Sequence, residues 1–406
     1  MPRDKFLIFG AAFLRALSVG LLGVLFALYL AAGGLRASQI GVLITVGLAG
    51  NVCGTFLVGF WADHLGRRKT LVFLSTLTAV GGFGLVFFPG FLGMMVVCFL
   101  GMVNAFGRER GAVYTLEQAI LPETVEARHR TKTLAWYNVV LEAGLALGSL
   151  MGGLPILFRR SFDVGNLTSY RWTFLFYGGI LCLSAFLYTR LSPRIEAHNP
   201  SGEDLRGDWR KISPESKRII TRISLLFGLD SLAGGFLPGT LLVYWFFKRF
   251  GAGEETLAPI FFLGHVANAL SLPVAAWISH RIGLIKTMVF AHTPSSLCLI
   301  AIPFAPNLTA ALVLYLLREC LVEMELPTRQ SYVMAVVRPS ERTIASGVTN
   351  LTRLAAWSVS PTLAGFTMGF LSLSFPLFFA GTVKIIYDMS LFTAFRHIKP
   401  PEEQTP

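Results

Sequence analysis

An all-helical fold embedded in a bilayer, twelve transmembrane helices in two pseudo-symmetric six-helix bundles, is what this sequence predicts. Three observations lead there. Apolar runs long enough to cross a membrane recur along the whole chain, basic residues gather in alternate connections between them, and the second half repeats the pattern of the first.

Composition carries the first observation. Of 406 residues, 53% are hydrophobic and 14% charged, with a mean hydropathy of +0.61, a more apolar balance than soluble domains show. The net charge of +12 would suit a nucleic-acid binder. The cations, however, sit in short connections rather than along one soluble face, so the lipid bilayer is the expected partner and nucleic acid is excluded. Cys53, Cys98, Cys182, Cys298 and Cys320 all fall in apolar segments without CxxC spacing, so neither a disulfide frame nor a metal site is expected. The N-terminal apolar run reaches Ala32, contains Arg15 and lacks a small-residue cleavage site. It reads as a retained first span.

The spans are drawn in order at 6–31, 40–62, 70–88, 91–117, 133–157, 172–191, 220–247, 257–279, 285–304, 308–334, 343–366 and 375–395. Backbone amides in hydrocarbon must pair within their own segment, and runs of this length suit helices rather than barrel strands. Even-numbered connections hold Arg67, Arg68 and Lys69, then Arg128, Arg130 and Lys132, the stretch 190–222, Arg281 and Lys286, Arg338 and Arg342, and finally Arg396 and Lys399. The positive-inside rule places these, with both termini, in the cytoplasm. Arg159, Arg160, Lys248 and Arg249 break the pattern on the other side. The polar segment 192–219, with Ser213-Pro214-Glu215 opening a helix, reads as a cytoplasmic linker between an N-terminal bundle, 1–191, and a C-terminal bundle with a short tail, 220–406. Short loops and termini suggest a bacterial inner membrane, and a monomer is expected.

The repeat is residue-level. Arg130, Asn138 and Gly153 recur as Arg342, Asn350 and Gly365, and Arg15, Gly20 and Tyr29 face Asp230, Gly235 and Tyr244. WADHLGRRKT is echoed by WISHRIGLIKT, Trp61 on Trp277 and His64 on His280. Parallel repeats of this kind are a plan for transporters, with the substrate between the halves.

The stretch GFWADHLGRRK, Gly59 to Lys69, resembles the loop signature of the major facilitator superfamily, G-x-x-x-D-R-x-G-R-R-K. Gly59, Asp63, Gly66, Arg67, Arg68 and Lys69 match it, and His64 stands where Arg is usual. The resemblance implies the superfamily fold over essentially the whole chain and a cytoplasmic gating latch at these residues; the alternative is a basic loop that only sets topology. In the fifth span, Gly144, Gly148, Gly152 and Gly153 resemble the G-P-x-x-G-G element of proton-coupled antiporters, with Ser149 in the place of Pro and Pro361 supplying one in the other half. Small-xxx-small helix packing is the competing account. The superfamily's fourth-helix arginine signature is not cleanly present, since Arg108 and Arg110 are wrongly spaced from Gly111.

An ionisable residue within a span is by default a functional candidate. Arg15 and Asp230 occupy matching depths of the first and seventh spans and would form a symmetry-related pair competing with substrate and proton, or a structural bridge. The fourth span carries Arg108, Glu109, Arg110 and Glu117, and the tenth Arg318, Glu319, Glu323, Glu325 and Arg329. Their acids are proton-carrier candidates and their arginines anchors for a carboxylate or phosphate, with solvated ion pairs as the alternative. Glu142 and Arg353 add one charge each to cavity-lining spans. Lys384 and Asp388, four apart in the last span, are expected to pair with each other and to have no functional part. Asn138, His265, Asn268 and Trp357 are read as packing residues that would also suit substrate contact. Tyr29, Tyr244 and Trp245 are expected as interfacial anchors.

The expected function is secondary transport of a small organic solute by alternating access, proton-coupled export first. Uptake or facilitated diffusion of an organic anion is the alternative, and a non-transporting sensor the reading from another class. No GxSxG, HExxH or Walker loop supports an enzyme or pump, and no cofactor is expected.

Overall fold

The structure, a computed structural model, describes residues 2–108, 111–126, 129–196, 213–325, 329 and 342–395. Among these there is helix and no strand, as lipid requires of a chain that cannot close into a barrel. The helices are α1 (Pro2–Ala32), α2 (Ala37–Leu65), α3 (Arg67–Phe87), α4 (Phe91–Leu100), α5 (Ala112–Ile120), α6 (Arg130–Met151), α7 (Leu154–Phe162), α8 (Asn166–Thr189), α9 (Pro214–Gly235), α10 (Gly239–Phe250), α11 (Glu254–Ile282), α12 (Leu284–Ala301), α13 (Leu308–Val322), α14 (Arg342–Phe370) and α15 (Phe375–Phe395). Nine helical stretches among the described residues are long and apolar enough to cross a membrane.

The chain forms two compact units, Met1–Pro200 with Pro238–Val266, and Ser201–Leu237 with Ala267–Pro406. In the first, α1 packs against α6, α8 and α10, while α3 packs against α8 and α2 against α4 and α5. The contact of α1 with α6 is closest where small residues meet. A Cβ on Gly148 would lie 2.0 Å from the carbonyl oxygen of Leu17, and one on Gly20 would lie 2.2 Å from that of Leu145. Gly144 and Gly152 face α1 in the same seam, whereas a Cβ on Gly153 would meet only the Leu150 oxygen at 3.4 Å. The glycine series thus has a packing task of the small-xxx-small kind. Gly148→Leu is expected to destabilise the first unit by about 1–3 kcal/mol or more through overpacking; an unchanged melting temperature in detergent would refute this seam.

The fourth span is not continuous. Helix stops at Leu100 and resumes at Ala112, with Met102 at φ 48° and Gly107 at φ 83°. Backbone freed at membrane depth must be satisfied by neighbours. The Asn51 amide donates to Met102 O at 2.7 Å and the Asn104 amide to Arg108 O at 2.7 Å. Thr240 Oγ1 donates to Ala105 O at 2.5 Å, and Gly239 N to Phe106 O at 3.2 Å. The seventh span is likewise split, before Pro238, where the chain leaves the second unit for the first. A proline there has no amide to continue the ladder.

In the second unit α9 packs against α14 and α15, and α12 against α13 and α15. Its core includes Ile220, Ile223, Phe227, Met288, Tyr387 and Leu391. The repeat seen in sequence is reproduced locally. Gly66 and Gly283, each between two helices, take φ of 97° and 92°, a region costly for residues with a Cβ. Thr70 and Thr287 each return a hydroxyl bond to that glycine's carbonyl, at 2.9 and 2.8 Å.

Three expected interfacial anchors turn out to be core residues. Tyr29 is buried and donates to Leu85 O at 2.9 Å. Tyr244 is buried, and Trp245 is fully enclosed, edge-on to Phe246 and Phe250. Their position near a span's end suggested a lipid boundary, but α10 is wrapped by its own unit.

Candidate functional site

Two buried polar clusters stand out, one in each unit. In the first, α1 delivers Arg15, α5 Glu117, α6 Tyr137 and α8 Tyr188. Glu117 is 0% exposed. Arg15 Nη2 donates to Glu117 Oε2 at 2.5 Å and Nη1 to the Tyr188 hydroxyl at 2.7 Å. The Tyr188 and Tyr137 hydroxyls in turn donate to Glu117 Oε1 and Oε2 at 2.6 and 2.8 Å. A carboxylate in an apolar core needs such a complete set of donors. Arg15 also lines a small pocket with Ser18, Asn51, Asn104 and Gly111.

The second cluster is larger. Asp230 on α9 accepts from Lys384 Nζ at 2.7 Å and from Arg329 Nη1 at 3.3 Å. Arg329 also donates to Glu325 Oε1 at 3.1 Å, which takes the Tyr387 hydroxyl at 2.9 Å. His292 on α12 has Nδ1 2.9 Å from Asp388 Oδ1 and Nε2 3.1 Å from Lys384 Nζ. Thr293 donates to the other Asp388 oxygen at 2.9 Å. Arg353 on α14 donates to Ser231 at 3.2 Å and stacks over Trp357, 4.6 Å from its centroid. Three carboxylates, Asp230, Glu325 and Asp388, thus accompany three basic side chains, Arg329, Arg353 and Lys384. Asp230, His292 and Glu325 offer atoms within 4.8 Å of one another, a spacing that would suit a metal ion. The Lys384 ammonium already brings the positive charge to Asp230 and His292.

The clusters are related by the repeat. Arg15 aligns with Asp230 and Glu117 with Arg329, so the ion pair of the first unit reappears in the second with its charges exchanged. Each half of the sequence repeat also sets a buried tyrosine of its last helix, Tyr188 or Tyr387, on a glutamate. Arg15 and Asp230 thus each have a partner of opposite charge within their own unit, Glu117 and Arg329. The expectation for Lys384 and Asp388 is corrected: rather than bonding each other, they bond Asp230 and His292. Sequence reading also left His292 and Tyr387 unmarked, although a histidine inside an apolar span was a visible signal.

The remaining candidates are placed as follows. Arg318 pairs with its neighbour Glu319, whose Oε2 takes the Asn268 amide at 2.8 Å. Glu323 caps the end of α13. Glu142 Oε2 lies 3.7 Å from His265 Nδ1. Glu109 falls outside the described residues, as do the side chains of Gly59 and Asp63 within α2. At Gly66, the Glu196 carboxylate accepts from the Arg67 and Arg68 amides at 2.6 and 3.3 Å, the favourable place for an anion at a helix start. Arg67 pairs with Glu123 at 2.5 Å, and Arg68 bonds the Thr189 carbonyl. Lys69 is exposed. Of the signature's cations, Arg67 is thus held by an acid of its own unit and Arg68 by a backbone carbonyl.

Comparison with known proteins places this architecture. The model of the Major Facilitator Superfamily matches residues 8–361. An uncharacterised membrane protein of Saccharomyces cerevisiae is 25% identical over 391 residues, 89% of this chain and 87% of its own. The MFS-type transporter YcaD of Escherichia fergusonii is 27% identical over 189 residues, 47% of this chain and 46% of that one. Among solved structures, a D-xylose-proton symporter matches with a TM-score of 0.76 at 15% identity over 98% of both chains. A bacterial homologue of the human lysosomal transporter Spinster, inward-facing and occupied, matches with a TM-score of 0.76 at 14% identity, over 99% of this chain and 98% of that one. Identities this low carry the fold and nothing finer.

Proposed function

The chain belongs to the Major Facilitator Superfamily, and on that footing we propose that it moves a small organic solute across the membrane by alternating access coupled to protons. One observation carries the reading: a buried, hydrogen-bonded ion pair with one member on the first helix of each repeat, Arg15–Glu117 and Asp230–Arg329. Charges in a membrane interior are costly and persist where they move or bind ions. An inert bundle has no need of two such pairs, and packed apolar residues would serve stability as well. The superfamily's transporters work without bond chemistry on their cargo, in line with the expectation that this chain is no enzyme.

Export is the direction we propose, on the resemblance of the α6 glycine series, with the loops at Gly66 and Gly283 and both termini in the cytoplasm. The alternative of organic-anion uptake draws on Arg15, Arg318 and Arg353 as anchors. The bacterial inner membrane is the host membrane we propose, with relatives matching from yeast as well as from enterobacteria. The test is solute flux in proteoliposomes holding the purified monomer, across a panel of organic anions and cations, under pH gradients of either sign. Solute moving against the proton gradient is the expected result. Movement with the protons would establish uptake, and flux indifferent to pH would overturn the coupling.

A further inference from the structure

His292 is 1% exposed, and an imidazole is the side chain whose ordinary pKa lies closest to neutrality. We infer that His292 Nε2 is the position that takes up and releases the proton, and that the Lys384 ammonium guards it. The inference deepens the proton-coupled reading above and rests on it for its meaning in transport.

The hydrogen bonds fix the starting state. A lysine ammonium has donors only, so Nε2, 3.1 Å from Lys384 Nζ, presents its lone pair. The ring's hydrogen is then on Nδ1, donated to Asp388 Oδ1 at 2.9 Å, while Thr293 holds the other oxygen. With its hydrogen on Nδ1 alone, the imidazole is neutral in this arrangement. The alternatives are less open to a proton. Both oxygens of Asp230 accept from cations, and both of Asp388 have donors. Nε2, by contrast, has one donor, and that donor has Asp230 Oδ1 at 2.7 Å as a second acceptor.

Protonation forms an N–H bond at Nε2 with a proton from water and gives an imidazolium. That hydrogen faces the Lys384 ammonium, donor against donor, so Lys384 must turn to Asp230 alone. Glu325 Oε2, 3.4 Å from Nε2, and Asp230 Oδ1, at 3.8 Å, are the acceptors within reach of a small shift. Glu325 Oε1 is shared by Arg329 and Tyr387, and the Tyr387 ring stands edge-on to His292. Arg353 is turned to Ser231 and Trp357. One proton at Nε2 therefore redistributes bonds on α9, α12, α15 and the segment holding Glu325 and Arg329. Loss of the proton restores the Lys384 bond.

The experiment is nitrogen NMR of the full chain in lipid nanodiscs with labelled histidine. The signal of His292 among the seven histidines is identified by its loss in His292→Gln. At about pH 8.5 the wild type should show a bare Nε2 and a protonated Nδ1, and at about pH 5 both nitrogens protonated. In Lys384→Met, with no donor aimed at it, Nε2 should carry hydrogen at the alkaline pH. A protonated Nε2 in the alkaline wild type, or a ring unchanged across that range, would overturn the inference, and neither reading depends on Lys384→Met folding. No solute enters these spectra. Should the ring behave as stated while solute flux ignores the pH gradient, the transport reading falls and the proton site stands. An inert ring beside pH-driven flux would remove the proton site and leave coupled transport standing.

Discussion

Arg15→Met is expected to cost the first unit about 3–5 kcal/mol, because the Glu117 carboxylate is left buried without its cation. Glu117 is wholly enclosed and keeps only the Tyr137 and Tyr188 hydroxyls, which soften the charge without balancing it. The protein escapes by protonating Glu117 or by loosening around it, and both erase the arrangement. Adding Glu117→Gln should recover most of the lost stability, since a neutral amide oxygen still accepts from the tyrosines. Thermal unfolding of the two variants in the same detergent checks this. Equal melting temperatures for the single and double variants would show that the pair is not what Arg15 contributes. Recovery of fold without recovery of transport would separate structure from function at this pair.

Lys384→Met is expected to reduce pH-driven solute flux at least tenfold, about 1.4 kcal/mol or more in transition-state terms. It removes the nearest cation from Asp230 and the donor from His292 together. Asp230 retains Arg329 at 3.3 Å, so the fold should survive better than in Arg15→Met. Flux within twofold of wild type would make Lys384 a packing residue whose aliphatic stem matters more than its charge.

That lysine also shows where sequence reasoning stops. The spacing of Lys384 and Asp388 is the standard one for a helical ion pair, worth a few tenths of a kcal/mol. A buried aspartate and a buried histidine on neighbouring helices are stronger partners, and no local rule ranks them. The spans themselves were legible because hydrocarbon leaves the backbone little choice. The repeat was legible because both halves need the same turn, visible as Gly66 and Gly283 with Thr70 and Thr287 behind them. The break in the fourth span is not legible from hydropathy, although Gly101, Asn104, Gly107 and Gly111 fall within eleven residues, a density that weakens any helix. Hydropathy averages across such a gap, so the run looks continuous. Arg15 and Asp230 were found because charge in an apolar run is conspicuous. Their partners were not, because Glu117 and Arg329 sit among other charges near the end of their spans, and only the folded chain selects them.

The signature loop gives a similar lesson. The pattern from Gly59 to Lys69 identified the family, and Gly66 proved to be a residue whose backbone angle explains it. The partners of its arginines, Glu123 and Glu196, come from segments with no recognisable pattern of their own. Acids in polar connections are too common in sequence to be assigned to particular cations.

Exchange of a proton within the second cluster, where Asp230 and His292 share Lys384, is what would drive the solute in the proposed mechanism. It is tested most directly by following proton movement and solute flux together in proteoliposomes, wild type beside Asp230→Asn. The expected result is a solute-dependent proton flux in the wild type that is absent from the variant, with the variant still folded. Solute flux without any proton movement in the wild type would contradict the mechanism and return Asp230 to a structural role.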